Sequence, residues 1–201
     1  MFSGCQFSLY PMSDNFVDVI LPAVAAMGTP HDLRIETDDI STLVVGPPSA
    51  VFAAVARAYE AACRAGGHVV LSALFSRGCP GEPDDPICTP EPPQTGDTAA
   101  SKDLGSITPT GIEIDAQFSL YPLGISHYMQ AIAQAVEAVK TRGVYEKSKN
   151  FCTRLTGDLS AVFQSVEETF EQTARETGHV VIHFTASKGS PSKQQKSGGV
   201  G

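Results

Sequence analysis

No stretch of the 201 residues comes near the 18 or so consecutive apolar residues that a membrane-crossing helix needs, so insertion into a membrane is not expected. Positive charge is also scarce. Against 22 Asp and Glu stand only 14 Lys and Arg, a formal net charge of −8, whereas a nucleic-acid backbone wants a basic face. Nucleic acid is therefore not an expected partner. The cysteines, five in all (Cys5, Cys63, Cys79, Cys88 and Cys152), are odd in number and include no CxxC pair. They read as reduced thiols of a cytoplasmic protein. Met1 leads straight into the first folded unit without a basic and apolar leader, so no signal peptide is expected. Enzyme signatures are missing too: there is no GxSxG, no Walker loop and no glycine-rich dinucleotide turn.

What is present is a repeat. QFSLYP occurs at Gln6–Pro11 and again at Gln117–Pro122, an offset of 111 residues. The same offset carries Gly46, Ser49, Ala50, Val51 and Phe52 onto Gly157, Ser160, Ala161, Val162 and Phe163. It then carries Gly67-His68-Val69-Val70 onto Gly178-His179-Val180-Val181. Blocks that keep one register without a gap mark a duplicated domain. We divide the chain into a first repeat (1–77), a Pro- and Gly-rich connection (78–114), a second repeat (115–188) and a flexible tail (189–201), with 82–96 as a mobile loop. Units of roughly 75 residues bury little surface alone, so they should pack on each other or on a second chain.

Each repeat reads as strand, helix, strand, strand, helix, strand. Gln6–Tyr10 alternates apolar and polar residues. Ser13 or Asp14 is placed to cap a helix carrying Phe16, Val17, Ile20 and Val24. Arg34–Ile40 and Thr42–Val45 read as short strands, a second helix follows Ser49, and His68–Phe75 closes the unit. The second repeat closes likewise with His179–Thr185. This is an α+β chain, a tandem of two ferredoxin-like βαββαβ units with both helices of each on one sheet face. The other face carries Gln6, Ser8, Tyr10, His68, Val70 and Ser72, a mixture suited to packing against another sheet.

Two places invite a ligand. Tyr10-Pro11 and Tyr121-Pro122 sit where the first strand of each repeat hands over to its helix, and proline restricts the direction of the residue before it. With Ser13, Asp14, Ser126 and Tyr128 and the free amides of a helix start, the tyrosines suit a pocket for a flat polar molecule. They equally suit a tyrosine at a sheet edge beside an ordinary cap. The second place is the segment Asp38–Thr42, matched by Lys149–Thr153. Asp39, Ser41 and Thr42 offer a carboxylate and hydroxyls where Asn150, Cys152 and Thr153 offer an amide, a thiol and a hydroxyl. The same residues also make a plain hairpin turn. If these positions bind, the first site is the tighter, because a carboxylate receives an amino group more strongly than an amide does. His179 and His183 share a strand face, but no third metal ligand accompanies them and the first repeat has Ser72 where His183 stands. Nothing selects Cys79 or Cys152 as a nucleophile.

FSLYPM at Phe7–Met12, DDIST at Asp38–Thr42, FSRGCPG at Phe75–Gly81, QFSLYPL at Gln117–Leu123 and SPS at Ser190–Ser192 resemble the YkoF-like proteins. The resemblance spans nearly the whole chain. It implies repeats related to ACT domains, a tight homodimer, and one site per repeat for thiamin, held through its hydroxymethylpyrimidine moiety. It further implies a role in salvage or transport of that pyrimidine, with no catalysis and no cofactor. The same scaffold is open to an enzyme acting on the pyrimidine, or to an ACT-like regulatory module sensing another small molecule. The Pro-rich insert at 82–96 departs from the family pattern, and Cys152 stands in the second repeat where Ser41 stands in the first, which argues against equal affinity of the two sites.

Overall fold

The computed structural model describes residues 3–78 and 108–193. The expected loop at 82–96 lies outside them, as does the tail beyond Lys193. Among the described residues twelve elements follow one another, and the first six are β1 (Ser3–Pro11), α1 (Phe16–Ala25), β2 (Arg34–Thr37), β3 (Thr42–Val45), α2 (Pro48–Arg64) and β4 (Val69–Arg77). The second half repeats the order with β5 (Glu113–Leu123), α3 (Tyr128–Thr141), β6 (Tyr145–Ser148), β7 (Thr153–Asp158), α4 (Leu159–Glu176) and β8 (His179–Lys188). The protein is thus α+β, built from repeated units on one large antiparallel sheet.

The eight strands form a single sheet in the order β2-β3-β1-β4-β8-β5-β7-β6. The halves do not stack face to face. They join edge to edge, β4 against β8, in a ladder running from Val69↔Lys188 to Arg77↔Val180. Backbone bonds make this seam, and they protect two edges that would otherwise stand open. Alternation sends Phe7, Leu9, Leu71, Phe75, Phe118, Leu120, Ile182 and Phe184 toward the helices, where all are buried.

The helical layer is closed by aromatics that cross the seam reciprocally. Phe52 of α2 meets Phe170 of α4 at 5.6 Å between ring centroids, and Tyr59 of α2 meets Phe163 of α4 at 6.3 Å. In repeat register Phe52 corresponds to Phe163 and Tyr59 to Phe170, so each pair is the image of the other. That is the signature of a local two-fold axis between the halves. The ends of the seam obey the same symmetry. Gly78 has φ 82° and would drive a Cβ into the Gly178 carbonyl; its image, Gly189, has φ 74° and would place one 2.6 Å from the Gly67 oxygen.

Several boundaries differ from expectation. β2 ends at Thr37 because the Asp38 carboxylate accepts from the amides of Ile40 and Ser41, each at 2.8 Å, and turns the chain. Neither Ser13 nor Asp14 caps α1. Asn15 holds the N-cap position without a side-chain bond, and the Ser13 hydroxyl accepts from the Asn15 amide at 3.2 Å, a turn before the helix. α4 is capped by Asp158, which accepts from Ser160 N (2.9 Å), Thr110 N (3.2 Å) and Gly111 N (2.7 Å). Burial acts to raise the Asp158 pKa, but the bonds from Ser160 and Thr110 outweigh it and bring it down to about 2. Lys193, expected in the tail, pairs with Asp115 at 3.0 Å.

Candidate functional site

The Gln and Ser of QFSLYP have a use that their composition does not reveal. Ser8 Oγ donates to the Ile40 carbonyl at 2.9 Å and Gln6 Nε2 donates to Ser41 Oγ at 2.9 Å. In the second repeat Ser119 Oγ donates to the Phe151 carbonyl at 2.8 Å, and Cys152 Sγ donates to Gln117 Oε1 at 3.5 Å. The same two side chains of the first strand therefore hold the same hairpin in both halves. The hairpins close alike, through Asp38 N to Ser41 O at 3.0 Å and Lys149 N to Cys152 O at 2.8 Å.

In the second repeat this arrangement borders a cavity of ≈ 600 Å³ between β5, the first turns of α3 and the β6–β7 hairpin. A volume of that size suits a small organic ligand. Its walls include Phe118, Leu120, Tyr121, Tyr128, Met129, Ile132 and, from the hairpin, Lys149 to Thr153. The wall is largely apolar, and its rim is unusually open for apolar side chains: Tyr121, Tyr128, Met129 and Phe151 are all exposed. In the first repeat the matching rim, Tyr10, Met12, Val17, Leu21 and Ile40, is exposed as well. Apolar groups gathered in the open at equivalent places in both halves mark a surface that expects company.

The expected site residues fall into distinct groups. Tyr121, Tyr128, Cys152 and Thr153 come together on the cavity wall, whereas Ser126 is exposed and is not part of it. Tyr10 and Tyr121 alternate with the buried Leu9 and Leu120, so both stand half-exposed toward the face away from the helices. Ser41 is engaged by Gln6, and Asp39 is exposed at the hairpin tip. Thr42 is buried and shares a hydrogen bond with Thr37 at 3.0 Å. Asp14 is exposed ahead of α1, and Ser13 serves the turn just described. The amide bonds from Ile40 and Ser41 hold the Asp38 carboxyl below its usual range. Sequence reasoning missed Met129 and Phe151 as walls. The signal was there in the pairing of Ile40 with Phe151, two large apolar residues at a turn that has no core to fill.

Other reactive groups are placed away from this site. Cys5 and Cys63 are free and buried, and burial pushes the Cys63 thiol up to about 11. Such thiols are poor nucleophiles at neutral pH. Among the described residues no group of three or more His, Cys, Asp or Glu is arranged to hold a metal ion. None of the described helices is long and apolar enough to cross a membrane.

The YKOF-related family model matches residues 2–82 and again 113–193, once on each repeat. The chain is also 32% identical over 202 residues to the putative HMP/thiamine-binding protein YkoF of Bacillus subtilis (strain 168), across 98% of this chain and 95% of that protein. With the same family pattern on both halves and a relative matched nearly end to end, this chain belongs to the YKOF-related family.

Proposed function

We propose that the protein binds thiamin or its hydroxymethylpyrimidine (HMP) moiety, one molecule per repeat, and catalyses no reaction on it. The observation that carries this reading is the cavity of ≈ 600 Å³ beneath a hairpin that each repeat tethers in the same way. The name of the Bacillus subtilis relative, a putative HMP/thiamine-binding protein, supports it. An aminopyrimidine is flat, with an exocyclic donor and ring-nitrogen acceptors. The apolar wall with Tyr128 suits its faces, while Thr153, Asn150 and the hairpin carbonyls suit its edge. A ligand without that edge leaves buried polar groups unpaired, at roughly 1–3 kcal/mol each.

Each unit is read as ferredoxin-like and ACT-like, on the strength of its strand–helix order. The sheet face away from the helices, with Leu74 exposed on it, is the surface we assign to a homodimer. Salvage or transport of the thiamin pyrimidine in the cytoplasm is the role that fits such a binder. Calorimetric titration with thiamin, HMP and the thiazole moiety tests the reading. Two HMP sites per chain are expected, with the ligand recovered unchanged. Competition by the thiazole as strong as that by HMP would overturn the specificity, and a new product would overturn the non-catalytic role.

A further inference from the structure

The two repeats share a backbone but not a charge. In the second repeat Met129, Lys149 and Asn150 line the cavity, and no Asp or Glu is among its lining residues. At the same register the first repeat has Asp18, Asp38 and Asp39. Three negative charges thus stand where the second repeat has a single positive one. The equivalence is structural as well as numerical, because Asp38 and Lys149 donate the matching backbone bonds that close the two hairpins.

The helix starts reinforce the contrast. Neither α1 nor α3 has a side-chain cap, so each presents the positive end of its dipole at the site. In α1 a carboxylate, Asp18, already stands in the first turn; α3 has no acidic residue there. Tyr128 and Met129, the first two residues of α3, line the same cavity as Lys149. A helix start and an ammonium-bearing residue that line one cavity favour an anion inside it. Lys149 Nζ sits 3.3 Å from Gln117 Oε1, a neutral partner, so its charge is not cancelled by that bond.

Resting on the ligand class proposed above, we propose that the repeats sort their ligands by charge. The second-repeat cavity accepts a pyrimidine whose hydroxymethyl group carries a phosphate monoester, seated between the start of α3 and Lys149. The first repeat takes the neutral or cationic form and excludes the ester. The sites are far enough apart to act on their own fields. Tyr121 lies level with Gly4 across the sheet, six residues along β1 from Tyr10 and three strands away. Ordinary strand dimensions then separate the sites by about 25 Å. That exceeds the ~8 Å screening length of physiological salt several-fold.

The experiment titrates the full chain with HMP and with HMP monophosphate at about 0.15 M salt. Two sites for HMP and one for the ester are expected. Lys149→Asp should lower the ratio of ester to HMP affinity at the second site at least tenfold, while Lys149→Arg should keep it. The ester should also lose affinity more steeply than HMP as salt is raised. Equal filling of both sites by the ester, or a ratio unmoved by Lys149→Asp, overturns charge sorting and leaves pyrimidine binding intact. Binding of neither compound overturns both readings.

Discussion

Removing one hydroxyl from each tether isolates the role of the hairpin. Ser119→Ala deletes the 2.8 Å bond to the Phe151 carbonyl and changes nothing else on the strand. The bond is neutral and partly solvated, so its net worth is about 0.5–1.5 kcal/mol. The carbonyl it frees can turn to water, which argues for the lower half of that range. If the ligand needs the hairpin held over the cavity, this free energy is drawn from binding, because a disordered wall has to be ordered again. Affinity at the second site should then fall about twofold to tenfold. Calorimetry reads the loss, and amide exchange at residues 149–152 reads the loosened hairpin. Ser8→Ala should act on the first site alone, and the double variant on both. Faster exchange with unchanged affinity would show that the hairpin is no part of the site. A loss beyond a hundredfold would show that Ser119 touches the ligand itself.

The remaining predictions concern the scaffold. Gly78→Ala combines left-handed strain of about 1–2 kcal/mol with a collision worth about 1–3 more, and urea unfolding should report the sum. Gly28→Ala, at φ 72° with nothing within 4 Å, should show the strain alone. A double-mutant cycle on Phe52→Leu and Phe170→Leu should return a coupling of about 0.5–1.5 kcal/mol; strict additivity would mean that the rings do not meet. Asp158→Ala should cost about 1–2 kcal/mol of stability at neutral pH through loss of the α4 cap. The folded pKa of Asp158 is depressed from 3.8 to about 2, so its contribution is complete above about pH 4 and fades as pH falls toward 2. The Ala variant should lose that part of the acid dependence, and an unchanged acid profile would refute the assignment.

The duplicated register and the apolar alternation of QFSLYP made the strand and helix order legible, since both are side-chain patterns. The β4–β8 seam was not legible in the same way. Alternation reports which face of a strand is buried, not which edge is paired, and edge pairing is a backbone matter. Its one side-chain trace is Gly78 and Gly189, which fall at the repeat offset and admit no Cβ. The start of α1 was misread because Ser13 and Asp14 are good caps by residue type, while the chain uses Ser13 in a turn one step earlier. At the site, the hairpin was visible as a turn, but its tethers were not. Gln6 and Ser8 looked like ordinary outward residues of an alternating strand until Ser41 and the Ile40 carbonyl were placed beside them.

The antiparallel seam also decides how the two candidate sites relate. Because β1, β4, β8 and β5 alternate in direction, the strand-to-helix junctions of the two repeats point toward opposite ends of the sheet. A parallel seam would have brought both mouths to one end, within reach of one ligand. Here no hairpin residue of one half shares a partner with a hairpin residue of the other in the tether bonds, and the core across the seam is the buried cluster of Phe52, Phe75, Phe163 and Phe184. Coupling would need an element with two arrangements, and close-packed rings offer none. Each hairpin is therefore free to change its charge without disturbing the other. That freedom is what allows Asp38 in one repeat to stand as Lys149 in the next while the fold that positions both stays the same.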